Sequence, residues 1–228
     1  MKNIIILLVV VFSTTLHAQK APAKKQAAAT TPTAQDKNAE KLLDQISKRY
    51  KAFKSIKADF TYTIENKSEK QTEKQKGTLY VKANKFWLEI SGQVIICDNV
   101  NVWSYSKELN EVQVNKYNPK GNAIRIEDIF TMYNKGFLYK IEDKKKDGNG
   151  HEIVTIELTP KDKKQNYFKI KLTIDKTNES ILKTIVYDKN GTIHTYSINN
   201  QVPNINLKES FFTFNKTEYP GVEVIDLR

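Results

Sequence analysis

Residues 77–90 read GTLYVKANKFWLEI. Leu79 and Val81 alternate with Thr78, Tyr80 and Lys82, the period-two pattern of a half-buried strand, and the pair Ala83-Asn84 then interrupts it. Beyond the break Phe86, Trp87 and Leu88 stand in a row. Alternation sends Phe86, Leu88 and Ile90 to one face and Trp87 to the other, alongside Tyr80 of the preceding strand. A strand with large apolar side chains on both faces needs cover on both. One face holds a core or a ligand. On the other, Trp87 meets a partner, shields the outer sheet, or simply covers lysine stems.

The same period runs outward in both directions. In IKADFTYTIE, residues 56–65, Ile56, Ala58, Phe60, Tyr62 and Ile64 oppose Lys57, Asp59, Thr61, Thr63 and Glu65. Strands are expected at 94–98, 101–106, 111–116 and 137–144, then in HEIVTIELTP (151–160), NYFKIKLTID (166–175), ILKTIVYD (181–188) and TIHTYSIN (192–199), with FFTFN (211–215) closing the series. DGNG (147–150) reads as a turn, and Asn190-Gly191 as a primed hairpin turn. Two stretches switch to helical spacing: AEKLLDQISKRYKAF (39–53), through Leu42, Leu43, Ile46, Tyr50 and Phe53, and IRIEDIFTMYNKG (124–136), through Ile126, Ile129, Phe130 and Tyr133, with Gly136 as a stop. The expectation is a mainly β protein, an incomplete, half-open antiparallel barrel of about eleven strands with two short helices covering its apolar face. Pattern alone leaves open whether the helices complete a dry core or form a lid over a cavity.

The first residues, MKNIIILLVVVFSTTLHA, combine a basic start, nine apolar residues from Ile4 to Phe12 and then small and polar residues up to Ala18, the form of a secretory signal peptide over residues 1–18. A run of that length falls short of the roughly 20 apolar residues that span a bilayer. Gln19, not cysteine, follows the expected cut, so no lipid anchor is expected there. Residues 19–37 hold no aromatic or large aliphatic side chain and read as a disordered leader, with the folded domain occupying 38–228. The formal charge of +11 comes from lysines scattered singly along the chain, the signature of solvated strand faces and not of a nucleic-acid footprint. The single cysteine, Cys97, lies in the apolar run Val94–Cys97 and reads as a buried thiol; no intramolecular disulfide can form.

Chemistry-bearing constellations are sparse. His151 and His194 fall in different strands without metal-ligand spacing, no nucleophile elbow or Gly-rich phosphate loop is present, and acidic pairs such as Glu127-Asp128 sit on an exposed helix side. The expectation is a binding protein without cofactor or metal, not an enzyme.

An ordered series of segments resembles a known family. Ile56-Lys57-Ala58-Asp59-Phe60-Thr61 follows an N-terminal helix, Gly77–Lys82 leads into Phe86-Trp87-Leu88, and Val102-Trp103-Ser104-Tyr105, Phe168-Lys169-Ile170 and Asn190-Gly191-Thr192-Ile193 follow in order before the ending FTFNKTEYPGVEVIDLR. From about residue 39 to the end the chain resembles the LolA-type periplasmic carriers of outer-membrane lipoproteins. The resemblance implies a half-open barrel with a helical lid over an apolar cavity that holds a client's acyl chains. By it, Phe60, Tyr62, Leu79, Val81, Phe86, Leu88 and Ile90 line the sheet side, and Ile126, Ile129, Phe130 and Tyr133 the lid side. It implies acylated lipoprotein clients, loading by an inner-membrane lipoprotein-releasing ABC transporter, delivery to an outer-membrane acceptor, and a monomeric carrier. Relatives on the same scaffold bind lipids or glycolipids, or sense envelope stress with the help of a second domain. The family's Arg-Pro pair, whose arginine latches the lid, is replaced here by Ala83-Asn84.

Overall fold

The computed structural model describes residues 36–66, 71–118, 130, 133 and 136–228, all within the unit Pro32–Arg228. The expected signal peptide, nearly all of the leader and most of the second helix, Ile126 and Ile129 included, lie outside the described residues.

One α-helix and twelve strands are described: α1 (Lys37–Ala52), β1 (Ile56–Asn66), β2 (Gln71–Lys82), β3 (Lys85–Ile90), β4 (Gln93–Cys97), β5 (Asn101–Ser106), β6 (Glu111–Lys116), β7 (Phe137–Lys146), β8 (Glu152–Pro160), β9 (Tyr167–Asp175), β10 (Ser180–Asp188), β11 (Thr192–Pro203) and β12 (Glu223–Asp226). They form one open sheet in the order β12-β6-β5-β4-β3-β2-β1-β11-β10-β9-β8-β7. The first six strands make one meander and the next five another, joined where β1 pairs with β11. Register shifts at Asp59/Phe60, Ile141/Asp143, Ile181/Lys183 and Tyr187/Asp188 break the ladder locally, and such bulges bend and twist a sheet of this width.

Two expectations are corrected. FFTFN is not a strand: Glu209–Phe212 and Lys216–Glu218 form short 3-10 turns. The last strand is instead β12, which pairs parallel with β6 and takes the sheet to twelve strands with one parallel edge. Asn190-Gly191 is not a primed turn either, since Gly191 has φ 90° but Asn190 stays outside the positive-φ region, and its Oδ1 accepts the Thr192 N–H at 2.9 Å.

Helix α1 begins where Asp36 caps it. One carboxylate oxygen accepts from Asn38 N (2.9 Å) and Ala39 N (3.2 Å), and the other accepts from Ile141 N (3.3 Å), fixing the helix start to β7. Burial alone would raise this carboxyl's pKa; the three N–H groups outweigh it and hold it below the usual range. The far end is tied to β10 and β11. Arg49 pairs with Glu179 at 2.9 Å, Tyr50 Oη donates to Gln201 Oε1 at 2.8 Å and Ile181 N donates to Tyr50 Oη at 3.0 Å. Ala39, Leu42, Leu43, Ile46 and Tyr50 are thereby buried on the face carrying Ile156, Leu158, Ile170, Leu172 and Ile174, all fully buried. This helix-bearing side is the inner face.

Candidate binding face of the sheet

Cross-strand register places the predicted sheet-side residues together. Along β1, Ile56, Ala58, Phe60 and Tyr62 point inward, opposite Val81, Leu79, Gly77 and Gln75 of β2. Phe86, Leu88 and Ile90 of β3 continue the rows from Val81, Leu79 and Gly77, and Cys97 and Ile95 of β4 extend two of them. Directly opposed residues in an antiparallel pair share a face, so Phe60, Tyr62, Leu79, Val81, Phe86, Leu88 and Ile90 form one patch. Each is 3–7% exposed, so the patch is covered. Gly77 gives Phe60 its place: a Cβ there would lie 2.6 Å from Phe60 Cζ and 2.8 Å from the Glu89 carbonyl oxygen.

The two described lid-side residues pack on the neighbouring part of the same face. The Phe130 ring stacks on Tyr50 of α1 at 5.1 Å between centroids, and the Tyr133 hydroxyl meets Thr184 Oγ1 of β10 at 3.2 Å. Their described partners belong to α1 and β10.

Sequence reasoning missed a polar end to this patch. Tyr62 stacks on Tyr196 at 5.0 Å, and its hydroxyl meets His194 Nδ1 at 2.7 Å, while His194 Nε2 meets Asp188 Oδ2 at 3.1 Å. Burial, reinforced by Asp188 and Glu73, pushes the Tyr62 phenol up to about 12. Burial also raises Tyr133 against the pull of its Thr184 hydrogen bond, and Tyr196 with added effect from Tyr62 and Tyr133. These phenols stay neutral at physiological pH, and Tyr62 and Tyr133 serve as hydrogen-bonding groups; the geometry resembles a relay, but raised pKa values disfavour a tyrosinate nucleophile. Among the described residues nothing hydrogen-bonds Gln75 Oε1 or Gln201 Nε2, both buried on this face. The orientation of Gln201 follows from Tyr50: the tyrosine oxygen already accepts the Ile181 N–H, so its proton goes to Gln201 Oε1.

The outer face resolves the Phe86-Trp87-Leu88 run. Tyr80, Trp87, Ile96, Trp103 and Val114 form one row across β2 to β6. The segment after β11 covers part of it as a strap: Phe211 lies 4.9 Å from Tyr80 and 5.8 Å from Trp87, Phe212 is fully buried, and Tyr219 and Phe214 lie 4.5 and 6.3 Å from Tyr105. Trp87 therefore belongs to a second, self-covered core. The turn where the family's latch would stand carries Ala83 at φ 52°, and the lysines beside it, Lys82 and Lys85, each reach Glu209 at 2.7 Å, fastening the strap. An open cleft lined by Asn99, Val100, Asn101, Lys116, Tyr117, Asp226 and Arg228 lies at the β4–β5 turn and the C-terminus, apart from the apolar patch.

Among the described residues no group of His, Cys, Asp or Glu is placed to hold a metal ion. A wide open sheet, helix-bearing on one face, with an uncharged apolar patch over three adjacent strands, defines a half-barrel of the binding type. Residues 51–215 match the model of the outer membrane lipoprotein carrier protein LolA, and the chain belongs to that family. An uncharacterized conserved protein from Thermus thermophilus shares the fold, with 14% identity and a TM-score of 0.54 over 83% of this chain and 99% of that one. A LolA superfamily protein from Nitrosomonas europaea aligns at 13% identity and a TM-score of 0.42 over 77% and 97% of the two chains. An uncharacterized protein of Methanocaldococcus jannaschii is 25% identical over 149 residues, 62% of this chain and 42% of that relative, so less than half of the relative's length is spanned. The family is a carrier fold, and membership implies a place in the cell envelope.

Proposed function

We propose that this chain is a periplasmic carrier that holds the acyl chains of lipoproteins on the inner patch of β1 to β3 and moves them from the inner to the outer membrane. One observation carries the reading: seven large side chains from three adjacent strands, Phe60 to Ile90, share a buried face without a charged group among them. The work is binding and release, with no chemical step in the carrier. Loading falls to an inner-membrane lipoprotein-releasing ABC transporter and unloading to an outer-membrane acceptor.

Affinity follows from a difference. Each buried methylene is worth about 0.8 kcal/mol, so an acyl chain of about 15 would gain on the order of 12 kcal/mol if fully desolvated. The patch is covered, so a chain enters only by displacing apolar contacts of similar kind, which offsets much of that gain. A carrier needs this balance, because a chain held at the full value would leave too slowly. Removing one large side chain from the patch should therefore weaken both states.

The test is capture of the chain from the envelope of its own host, followed by mass spectrometry of what accompanies it. Acylated polypeptides, one per carrier, are expected. Recovery of free lipids or glycolipids alone would overturn the carrier reading and leave a lipid binder on the same scaffold.

A further inference from the structure

The loop between β8 and β9 and the turn between β10 and β11 meet at one end of the sheet. Lys189 N donates to the Asn166 carbonyl at 2.9 Å, and Lys189 Nζ to the Lys163 carbonyl at 2.5 Å. The fold thereby gathers Lys161, Lys163, Lys164 and Lys189, all exposed, on one rim with Lys169. The carboxylates of this rim are held within it. Asp162 accepts from Lys164 N (2.9 Å) and Gln165 Nε2 (3.3 Å), and Asp188 faces His194 Nε2 at 3.1 Å. Lys169 lies 3.8 Å from Glu157, and among the described residues no carboxylate pairs with Lys161, Lys163, Lys164 or Lys189. Phe168 stands among these lysines. Alternation along β9 would send it inward with Ile170, Leu172 and Ile174, but Lys169 pairs with Tyr187 and Tyr167 with Asp188, so the register skips Phe168. A bulge of this kind re-aims a side chain. The ring is 45% exposed, 6.2 Å from that of Tyr187, with Lys169 Nζ 5.9 Å from its centroid. The same end of the sheet carries His194 and Asp188, whose side chains are 19% and 23% exposed and lead to Tyr62 of the inner patch.

A merely solvated lysine face needs no aromatic ring re-aimed into its middle. Lysines carry apolar stems under charged heads, a form that suits phosphate headgroups, and an aromatic among them suits the boundary between headgroups and acyl chains. A protein partner would need about 800 Å² with an apolar centre of several side chains. Among the described residues Phe168 is the single exposed apolar side chain on this rim. We propose that the rim formed by residues 161–169 and 187–189 docks the protein on an anionic lipid bilayer, with Phe168 entering the headgroup layer. Docked in this way, the solvent-reaching end of the inner patch lies beside the membrane. The consequence rests on the carrier reading: an acyl chain passes between patch and bilayer without crossing bulk water.

The experiment uses the purified full chain without a client and measures its partition onto sedimented vesicles of phosphatidylcholine, alone or mixed equally with phosphatidylglycerol. Binding to the anionic vesicles and not to the neutral ones is expected, and molar salt, with a screening length of about 3 Å, abolishes it. Lys161→Gln/Lys163→Gln/Lys164→Gln lowers the partition coefficient about a hundredfold, roughly fivefold per lysine. Phe168→Ser lowers it about tenfold. A charge-matched control, Lys41→Gln/Lys48→Gln/Lys51→Gln on the exposed side of α1, binds as the unaltered chain does. All the altered positions are exposed, so each variant is expected to keep the fold. Equal loss in the two triple variants would reduce the effect to net charge and overturn the inference, as would equal binding to both kinds of vesicle. Retention on a polyglutamate resin without binding to vesicles would overturn it in favour of an acidic protein partner. Because no client is present, these results leave the carrier reading to be decided by what the chain captures from the envelope.

Discussion

Gly77 shows how one residue organises the patch. The Phe60 ring lies where a side chain at position 77 would stand, and the Glu89 carbonyl closes the other side. Gly77→Ala must push Phe60 off its rotamer or part β2 from β3, an overpacking that costs about 1–3 kcal/mol. Urea denaturation should show that loss, and an unchanged midpoint would mean that the Phe60 ring has room to spare. At this scale the sequence was informative about apolar side chains and silent about polar ones. Phe86, Leu88 and Ile90 announced their face by alternation. Gln75 did not, because it lies in the wholly polar run Gln71–Lys76, where parity is visible only once β2 is registered against β1. His194 likewise read as an isolated histidine; its partners Tyr62 and Asp188 come from two other strands.

Among the elements, the strap after β11 was the least legible. FFTFN alternates as a strand does, but its aromatics cap the outer row of the β1–β6 meander, a long-range contact no local period reports. β12 is four residues long and mostly exposed, so it carries almost no hydrophobic signal. The long strands β8, β9 and β10 were readable because each buries one face on the side that carries α1. The strap also has a pH dependence. Hydrogen bonds from Lys82 and Lys85 hold the Glu209 carboxyl at about 2, down from 4.5. A depressed carboxylate contributes above its unfolded pKa and loses that contribution as pH falls through the folded value, here between about 4.5 and 2. The pair is solvent-exposed, so the effect on global stability is small. It is better read locally, since both tryptophans, Trp87 and Trp103, lie on the outer row near the strap. Glu209→Gln should increase acrylamide quenching of tryptophan at pH 7, with the difference from the unaltered chain shrinking as pH falls from about 4.5 to 2. A difference that keeps its pH 7 size at pH 2, or none at pH 7, would detach the strap from this ion pair.

At the scale of the whole molecule, the described residues form two meanders joined through β1 and β11, with one apolar surface under α1 and a second under the strap. The two surfaces differ in what they can do. The outer one is covered by the chain's own aromatics and fastened by Lys82, Lys85 and Glu209, whereas the inner patch ends in the hydrogen-bonded polar chain Tyr62–His194–Asp188. The architecture was visible in the sequence as alternating strands and an amphipathic helix, but the division into an outer core under the strap and a separate inner patch was not, because β3 carries large apolar side chains on both faces. The proposed carrier function places a client's acyl chains on the inner patch. The most direct test compares one lipoprotein in acylated and unacylated form, titrated into the unaltered carrier and into a folded Phe60→Glu variant. The account predicts one-to-one binding of the acylated form only, lost when a charge is placed at Phe60; equal binding of both forms, or full binding by the variant, would contradict it.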